Sequence, residues 1–270
     1  SDLLDSASLS SLINNIEPNE VYNLAAQSHV AVSFKNPIFT SQVGTLGSLS
    51  LLEPIRHSNN KIKFYQASSS EMYGGQTNKK LNEESLFDPK SPYAASKVFA
   101  HDITKIYRES YNLFCVNGIL FNHESPFRGE TFVTRKISKA VGRIHLGLQN
   151  KLTLGNLDAS RDWGFAGDYI EGMWLMMQHD EAEDWVLATG KSYKVSEFAE
   201  EAFNQVGLDW SDYVETSEKY LRPNEVDYLL GDSSKAEKKL GWKAKNSNLD
   251  RIVKDEVNWI KKFSKKGYKR

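Results

Sequence analysis

The sequence predicts an α/β fold built on a parallel sheet, and three observations lead there. Short apolar runs of strand length alternate along the chain with longer runs of helical period. The run 62–67 (IKFYQA) reads as a buried strand, followed at once by the hydroxyls and carboxylate of SSSEMYG, 68–74. Such a cluster suits a parallel sheet, because open α/β sheets bind ligands beyond the carboxyl ends of their strands. Further on, Tyr93 and Lys97 in SPYAASK stand four apart, one turn apart on one helix face. An ammonium beside a phenol favours the phenolate, which makes a base for a hydroxyl proton near neutral pH.

Taken in order, Leu9, Leu12 and Ile16 are spaced for a helix face that Pro18 ends. Residues 20–25 read as a strand, and NLAAQSH, 23–29, as its end. Small residues there let a backbone approach a ligand; a tight strand-to-helix turn is the plainer reading. His29 has no second ligand at zinc-like spacing, so no metal is expected. Residues 37–55 read as a helix. A second long helix covers 93–111, with Ser91-Pro92 as its start. Its expected buried stripe is Ala95, Phe99, Ile103 and Ile106, with Tyr93 and Lys97 facing away. The strand 113–121 runs into NHESPFRGE, 122–130, a density of polar groups that usually supports a site, with a surface loop as the alternative. A helix over 131–148, a short strand over 152–155 and amphipathic helices over 195–206 and 249–263 complete the pattern. In the last of these, Leu249, Ile252, Val253 and Ile260 face a core.

Composition sets the bounds. The chain has 270 residues, 40% hydrophobic and 26% charged, enough for one large α/β domain or two lobes. A net charge of -1 argues against a nucleic-acid binder driven by phosphate neutralisation. The basic tail 265–270 reads as a solvated terminus. The lone Cys115 lies in an apolar run, so it reads as a core thiol and suits a reducing cytoplasm. The longest apolar run, 174–177, is far too short to span a bilayer.

The segments VYNLAAQSHVAVSF, FYQASSSEMYG, SPYAASK, NGILFNHESPFRGETFVTRKI, SRDWGFAGDYIEGMW and YLRPNEVDYLLGD together resemble the extended short-chain dehydrogenase/reductase superfamily. Within it, their wording is most similar to the GDP-mannose 4,6-dehydratase family. The resemblance runs over nearly the whole chain, and the NHESP…RGETFVTRKI block is its most specific part.

The resemblance implies a doubly wound parallel (Rossmann-like) sheet over residues 1–150 and a smaller substrate lobe over 151–270, some segments of which return to the sheet. It implies dehydration of GDP-mannose through bound NADP, in a cytoplasmic homo-oligomer, dimer or tetramer. Ser69, Glu71, Tyr93 and Lys97 would be catalytic. Asp2, Leu3, Leu24, Ala25, Ala26, Gln27, Ser28, Phe39, Lys97, His123 and Arg128 would hold the cofactor. Asn122, Lys136, Arg161, Arg222 and Glu225 would hold the substrate, the two arginines on its diphosphate.

Three departures from the family stand out. No glycine-rich phosphate turn occurs, since Gly44 and Gly47 lie in a helical stretch. The chain is therefore expected to be a fragment lacking the first strands, roughly 60 residues at about 30 per βαβ unit. Phe127 replaces the first of a usual arginine pair, and Phe39 replaces a tyrosine. Glu71 is the residue that separates a dehydratase from a simple epimerase or reductase; a strand-end surface acid is its plainer reading. The alternatives are another nucleotide-sugar dehydratase or epimerase, and a non-catalytic truncated homologue.

Overall fold

The computed structural model describes residues 1–75 and 79–264. In chain order the first half runs α1 (Ser6–Ile16), β1 (Glu20–Asn23), α2 (Val30–Lys35), α3 (Pro37–Arg56), β2 (Lys63–Ser69), α4 (Pro92–Tyr111), β3 (Cys115–Leu120), β4 (Asn122–Glu124) and α5 (Val133–His145). The second half runs β5 (Leu152–Leu154), β6 (Ser160–Arg161), β7 (Trp163–Phe165), α6 (Ala166–Gln178), β8 (Asp184–Leu187), β9 (Tyr193–Lys194), α7 (Val195–Asn204), β10 (Val214–Thr216), α8 (Ser234–Leu240) and α9 (Leu249–Ser264). The tail 265–270 lies outside the described residues.

The main sheet has the order β1-β2-β3-β8, and every pairing in it is parallel. Strand side chains alternate between faces, and the two cores record that alternation. Phe64 and Cys115 pack with Leu9, Ile13, Leu52 and Ile55 under α1 and α3. Their neighbours Tyr65 and Val116 pack with Met173, Met176, Trp185 and Trp242 under α6 and α8. Helices therefore cover both faces, as the parallel arrangement requires. A separate core joins α5, α7 and α9 to β5 through Ile137, Val141, Leu154, Phe198, Phe203, Ile252 and Val253.

The structure corrects the expected helix faces. On α1 the buried pair is Leu9 and Ile13, while Leu12 and Ile16 are exposed. On α4 the buried face is Tyr93, Ala94, Lys97, His101, Thr104 and Tyr107; Ala95, Phe99 and Ile106 look outward. The polar face goes inward because other elements satisfy it. His101 Nδ1 meets Ser68 Oγ at 3.1 Å, and Thr104 Oγ1 donates back to Ala100 O at 2.7 Å. Strand β8 and helices α2 and α6 were not anticipated, and β8 completes the sheet beside β3.

Close approach of the helices depends on glycine. A Cβ on Gly44 of α3 would meet Ser96 of α4, its Cβ at 2.6 Å. Gly74 adopts φ 67°, and a Cβ there would collide with the Asp88 carbonyl. Both facts make glycine the fitting residue at that turn.

Candidate active site

Strand β2 ends at Ser69, whose hydroxyl caps the turn that follows by accepting from the Glu71 N–H at 3.2 Å. Ser69 and Glu71 are both 9% exposed. Ser91 caps α4 through the Ala94 N–H at 3.0 Å, and Pro92 sits at its first turn. The packed start of α4 places Tyr93 and Lys97 against the end of β2. Lys97 Nζ donates to Ala67 O at 2.8 Å. It lies 5.8 Å from the Tyr93 ring centroid.

The electrostatics differ from the simple pair. Burial is the first effect on Tyr93 and pushes its phenol above the ordinary range; a hydrogen bond with Ser69 and the nearby Arg128 charge pull it down. The expected lowering by Lys97 is not among its causes, because the ammonium is turned to the Ala67 carbonyl. Burial brings Lys97 itself down to about 8. It is still cationic at neutral pH.

Glu71 stands in a four-membered charged cluster. Arg161 Nε is 3.9 Å and Arg222 Nη1 3.7 Å from Glu71 Oε1. The same arginines reach Glu225 Oε1 at 3.7 and 3.6 Å. Arg161 is 6% exposed and donates through Nη1 to Ser160 O at 3.0 Å. The structure thus brings Glu71, Arg161, Arg222 and Glu225 together from three separate parts of the sequence.

Strand β4, paired with β7, carries Asn122 and His123. His123 Nδ1 meets the Phe121 carbonyl at 2.9 Å and the ring stacks on Tyr169 at 4.8 Å. Burial brings its imidazole down to about 4, so it is neutral at neutral pH. Arg128 Nε pairs with buried Glu124 Oε2 at 3.1 Å, and its guanidinium lies 3.7 Å over Phe132. Lys136 Nζ donates to Thr153 O at 2.6 Å and sits over the Tyr220 ring. Phe127 is 81% exposed and edges Trp259.

The remaining expected residues flank the ends of β1 and α3. Leu24 and Phe39 are exposed apolar side chains, and Ala25 and Ser28 are exposed beside half-buried Ala26. Gln27 Oε1 accepts from Thr40 Oγ1 at 3.1 Å. Asp2 is exposed and accepts from the Leu4 N–H, and Leu3 packs near Gly47. His29 caps α2 and contacts Thr131 O at 3.2 Å. Among the described residues no group of three or more His, Cys, Asp or Glu is arranged for a metal, and no helix is long and apolar enough to cross a membrane. A groove of about 860 Å³ lies between α1 and α3 and is lined by Leu4, Asn14, Leu46 and Glu53.

Sequence reasoning missed the support beneath the site. Asp184 of β8 receives Arg108 Nη1 and Asn117 Nδ2, each at 2.9 Å, and faces His101 Nε2. The one visible signal was His101 itself, continuing the four-residue spacing of Tyr93 and Lys97. Glu256 was missed too: it is fully buried between α9 and α5, where burial pushes its carboxyl up to about 8.

The residues fit the nicotinamide end of a dinucleotide. Lys97 is a buried ammonium with three donors, of which Ala67 O takes one. Leu24 and Phe39 offer exposed apolar surface, and His123 and Arg128 add polar groups. No glycine-rich phosphate turn occurs among the described residues, so no residue here is assigned to the pyrophosphate.

Comparison with known proteins bears on the family and the fold. The family model described as GDP-mannose 4,6 dehydratase matches residues 1–255. GDP-mannose 4,6 dehydratase 1 of Arabidopsis thaliana is 56% identical over 261 residues, 95% of this chain and 72% of that protein. GDP-mannose 4,6 dehydratase of Homo sapiens is 47% identical over 276 residues, 95% of this chain and 74% of that protein. Among solved structures, RMD from Pseudomonas aeruginosa complexed with NADPH superposes with a TM-score of 0.88 at 25% identity, covering 97% of this chain and 87% of that one.

Proposed function

The chain belongs to the GDP-mannose 4,6-dehydratase family, and from that premise we propose that it dehydrates GDP-mannose to GDP-4-keto-6-deoxy-mannose, with the residue roles given below. This is a lyase reaction built on internal redox chemistry. The observation that carries it is the buried carboxylate of Glu71, two residues beyond Ser69 and close enough for its charge to act on Tyr93. A reductase or epimerase has no task for a second, acidic group there.

NADP, when bound, supplies the acceptor and later the donor of the hydride. Its identity as NADP rests on the NADPH-bound relative. Tyr93 takes the proton of the sugar 4-hydroxyl, helped by the Ser69 hydroxyl and by the positive charge of Arg128. Ser69 then donates to the 4-oxygen and polarises it. With C4 at the ketone level, C5–H is acidic; Glu71 removes that proton and gives it to the C6 hydroxyl, which leaves as water, and the C5=C6 bond so formed would take the returning hydride at C6 and a proton at C5. Lys97 holds the phenolate and the ribose hydroxyls. His123 and Arg128, with Asp2, Leu3, residues 24–28 and Phe39, line the cofactor. Arg161 and Arg222 grip the diphosphate, because a guanidinium fork matches phosphate oxygens. Asn122, Lys136 and Glu225 face the nucleotide sugar.

Residues 1–150 act as the cofactor-binding part and most of 151–270 as the substrate part, whose helices α7 and α9 share a core with α5 of the first part. The enzyme works in the cytoplasm as a dimer or tetramer. Incubating the chain with NADP and GDP-mannose should give a nucleotide sugar lighter by one water in mass spectrometry. A complex that keeps both ligands and never loses water would overturn the reading.

A further inference from the structure

We infer that Glu71 and Glu225 occupy the two arginines as stand-ins for the diphosphate, and that seating the diphosphate exchanges them and sets Glu71 free as the base. This deepens the proposed function and rests on its placing of the diphosphate at Arg161 and Arg222.

The contacts are those of a loose, exchangeable pair. All four carboxylate–guanidinium distances fall between 3.6 and 3.9 Å, longer than charge-assisted hydrogen bonds of 2.7–2.9 Å. Arg222 Nη1 faces both acids, is shielded from solvent, and makes no hydrogen bond to either. Its donors are close to anions yet unspent, which is a strained arrangement for a buried N–H. Elsewhere in the site the strong contacts are short: Lys97 reaches Ala67 at 2.8 Å and Lys136 reaches Thr153 at 2.6 Å.

The two arginines divide the work. Arg161 is anchored in β6 by its bond to Ser160 O and is buried. Arg222 follows the turn at Glu218–Tyr220, and its side chain keeps 28% exposure, so it is the member free to reorient. A diphosphate offers several oxygens in the geometry that the guanidinium fork prefers, and a carboxylate offers two. Carboxylates 3.6–3.9 Å from the same nitrogens would then lie against the incoming phosphates, and like charges repel. The diphosphate and the acids therefore compete for one pair of cations. Glu71 loses its counterions only when the diphosphate has arrived, so the base is released at the moment the sugar is in place.

Inorganic pyrophosphate and GDP test this by calorimetry, since neither carries the sugar. In Glu71→Gln and Glu225→Gln the Kd for pyrophosphate should fall, by roughly threefold or more in the double variant, the scale of a partly exposed ion pair. Arg222→Ala should raise it by about tenfold or more. Arg161→Lys, which keeps the charge in a buried place, supplies a second arginine variant if the alanine form unfolds. Weaker binding in the arginine variants with unchanged or weaker binding in both glutamine variants would overturn the exchange and leave the diphosphate site standing. Unchanged binding in the arginine variants would overturn the diphosphate site, and the exchange with it.

Discussion

His101 Nε2 lies 3.6 Å from Asp184 Oδ2, and this contact ties the helix that carries Tyr93 and Lys97 to the strand at the far side of β3. The other ring nitrogen faces Ser68, the residue before Ser69. One imidazole therefore spans the two elements that hold the proposed catalytic groups. Asp184→Asn should destabilise the chain by about 3 kcal/mol, because Arg108 and Asn117 lose their shared carboxylate. Urea unfolding measures the loss. A change under about 0.5 kcal/mol would show the network to be idle.

Gly44→Ala should cost about 1–2 kcal/mol despite alanine's better helix propensity, since the new methyl meets Ser96 at its Cβ and Oγ. Ser96 precedes Lys97, so kcat/KM should drop as well. Adding Ser96→Gly should restore much of both. Failure of the double variant to recover either quantity would separate Gly44 from the seating of α4.

Glu256→Gln should stabilise the chain at high pH. The wild-type carboxyl is pushed from its ordinary value up to about 8 by burial, with Glu124 adding to it and Ser138, Arg135 and Arg128 opposing. Between about 4.5 and 8 the folded chain holds a proton that the unfolded chain has lost. Wild-type stability therefore falls as pH rises through that window, and glutamine does not follow it. The two proteins should match near pH 5 and differ by on the order of 4 kcal/mol at pH 8. Parallel stability curves across that range would refute the assignment.

Cofactor binding by the ligand-free chain should weaken as pH rises through about 8, where buried Lys97 loses its charge. Stability should move the other way. From about 8 up to lysine's ordinary 10.5 the unfolded chain binds the extra proton, so the folded state gains with pH. Fluorescence titration of the cofactor at pH 7 and pH 9 checks the first statement; equal affinities would be evidence against it.

Glu71→Gln should abolish solvent exchange at C5. In heavy water the wild type should place deuterium at C5 of the product. The variant should do so at least a hundredfold more slowly, the usual scale for loss of a positioned base. Label incorporation at the wild-type rate would move the base elsewhere.

What could be read from the sequence was chemistry standing beside punctuation. SSSEMYG follows an apolar run and YAASK follows Ser91-Pro92, so Ser69, Glu71, Tyr93 and Lys97 could be placed on a strand end and a helix start. The inward face of α4 could not be read. Apolar period assigns Phe99 and Ile106 to the core, whereas Lys97 and His101 are buried because Ala67 O, Ser68 and Asp184 receive them. Those partners are remote in sequence. Strand β8 is four residues long, without alternation, and next to acidic residues, so nothing local announces it. The meeting of Glu71 with Arg161 and Arg222 is likewise a product of folding alone.

Lys97 rests on the carbonyl of residue 67, which belongs to the main chain. No point mutation at position 67 deletes that oxygen; only a slip of β2 against β3 would move it. The lysine's seat is thus inherited with the strand register, and sequence drift at the neighbouring side chains leaves it in place.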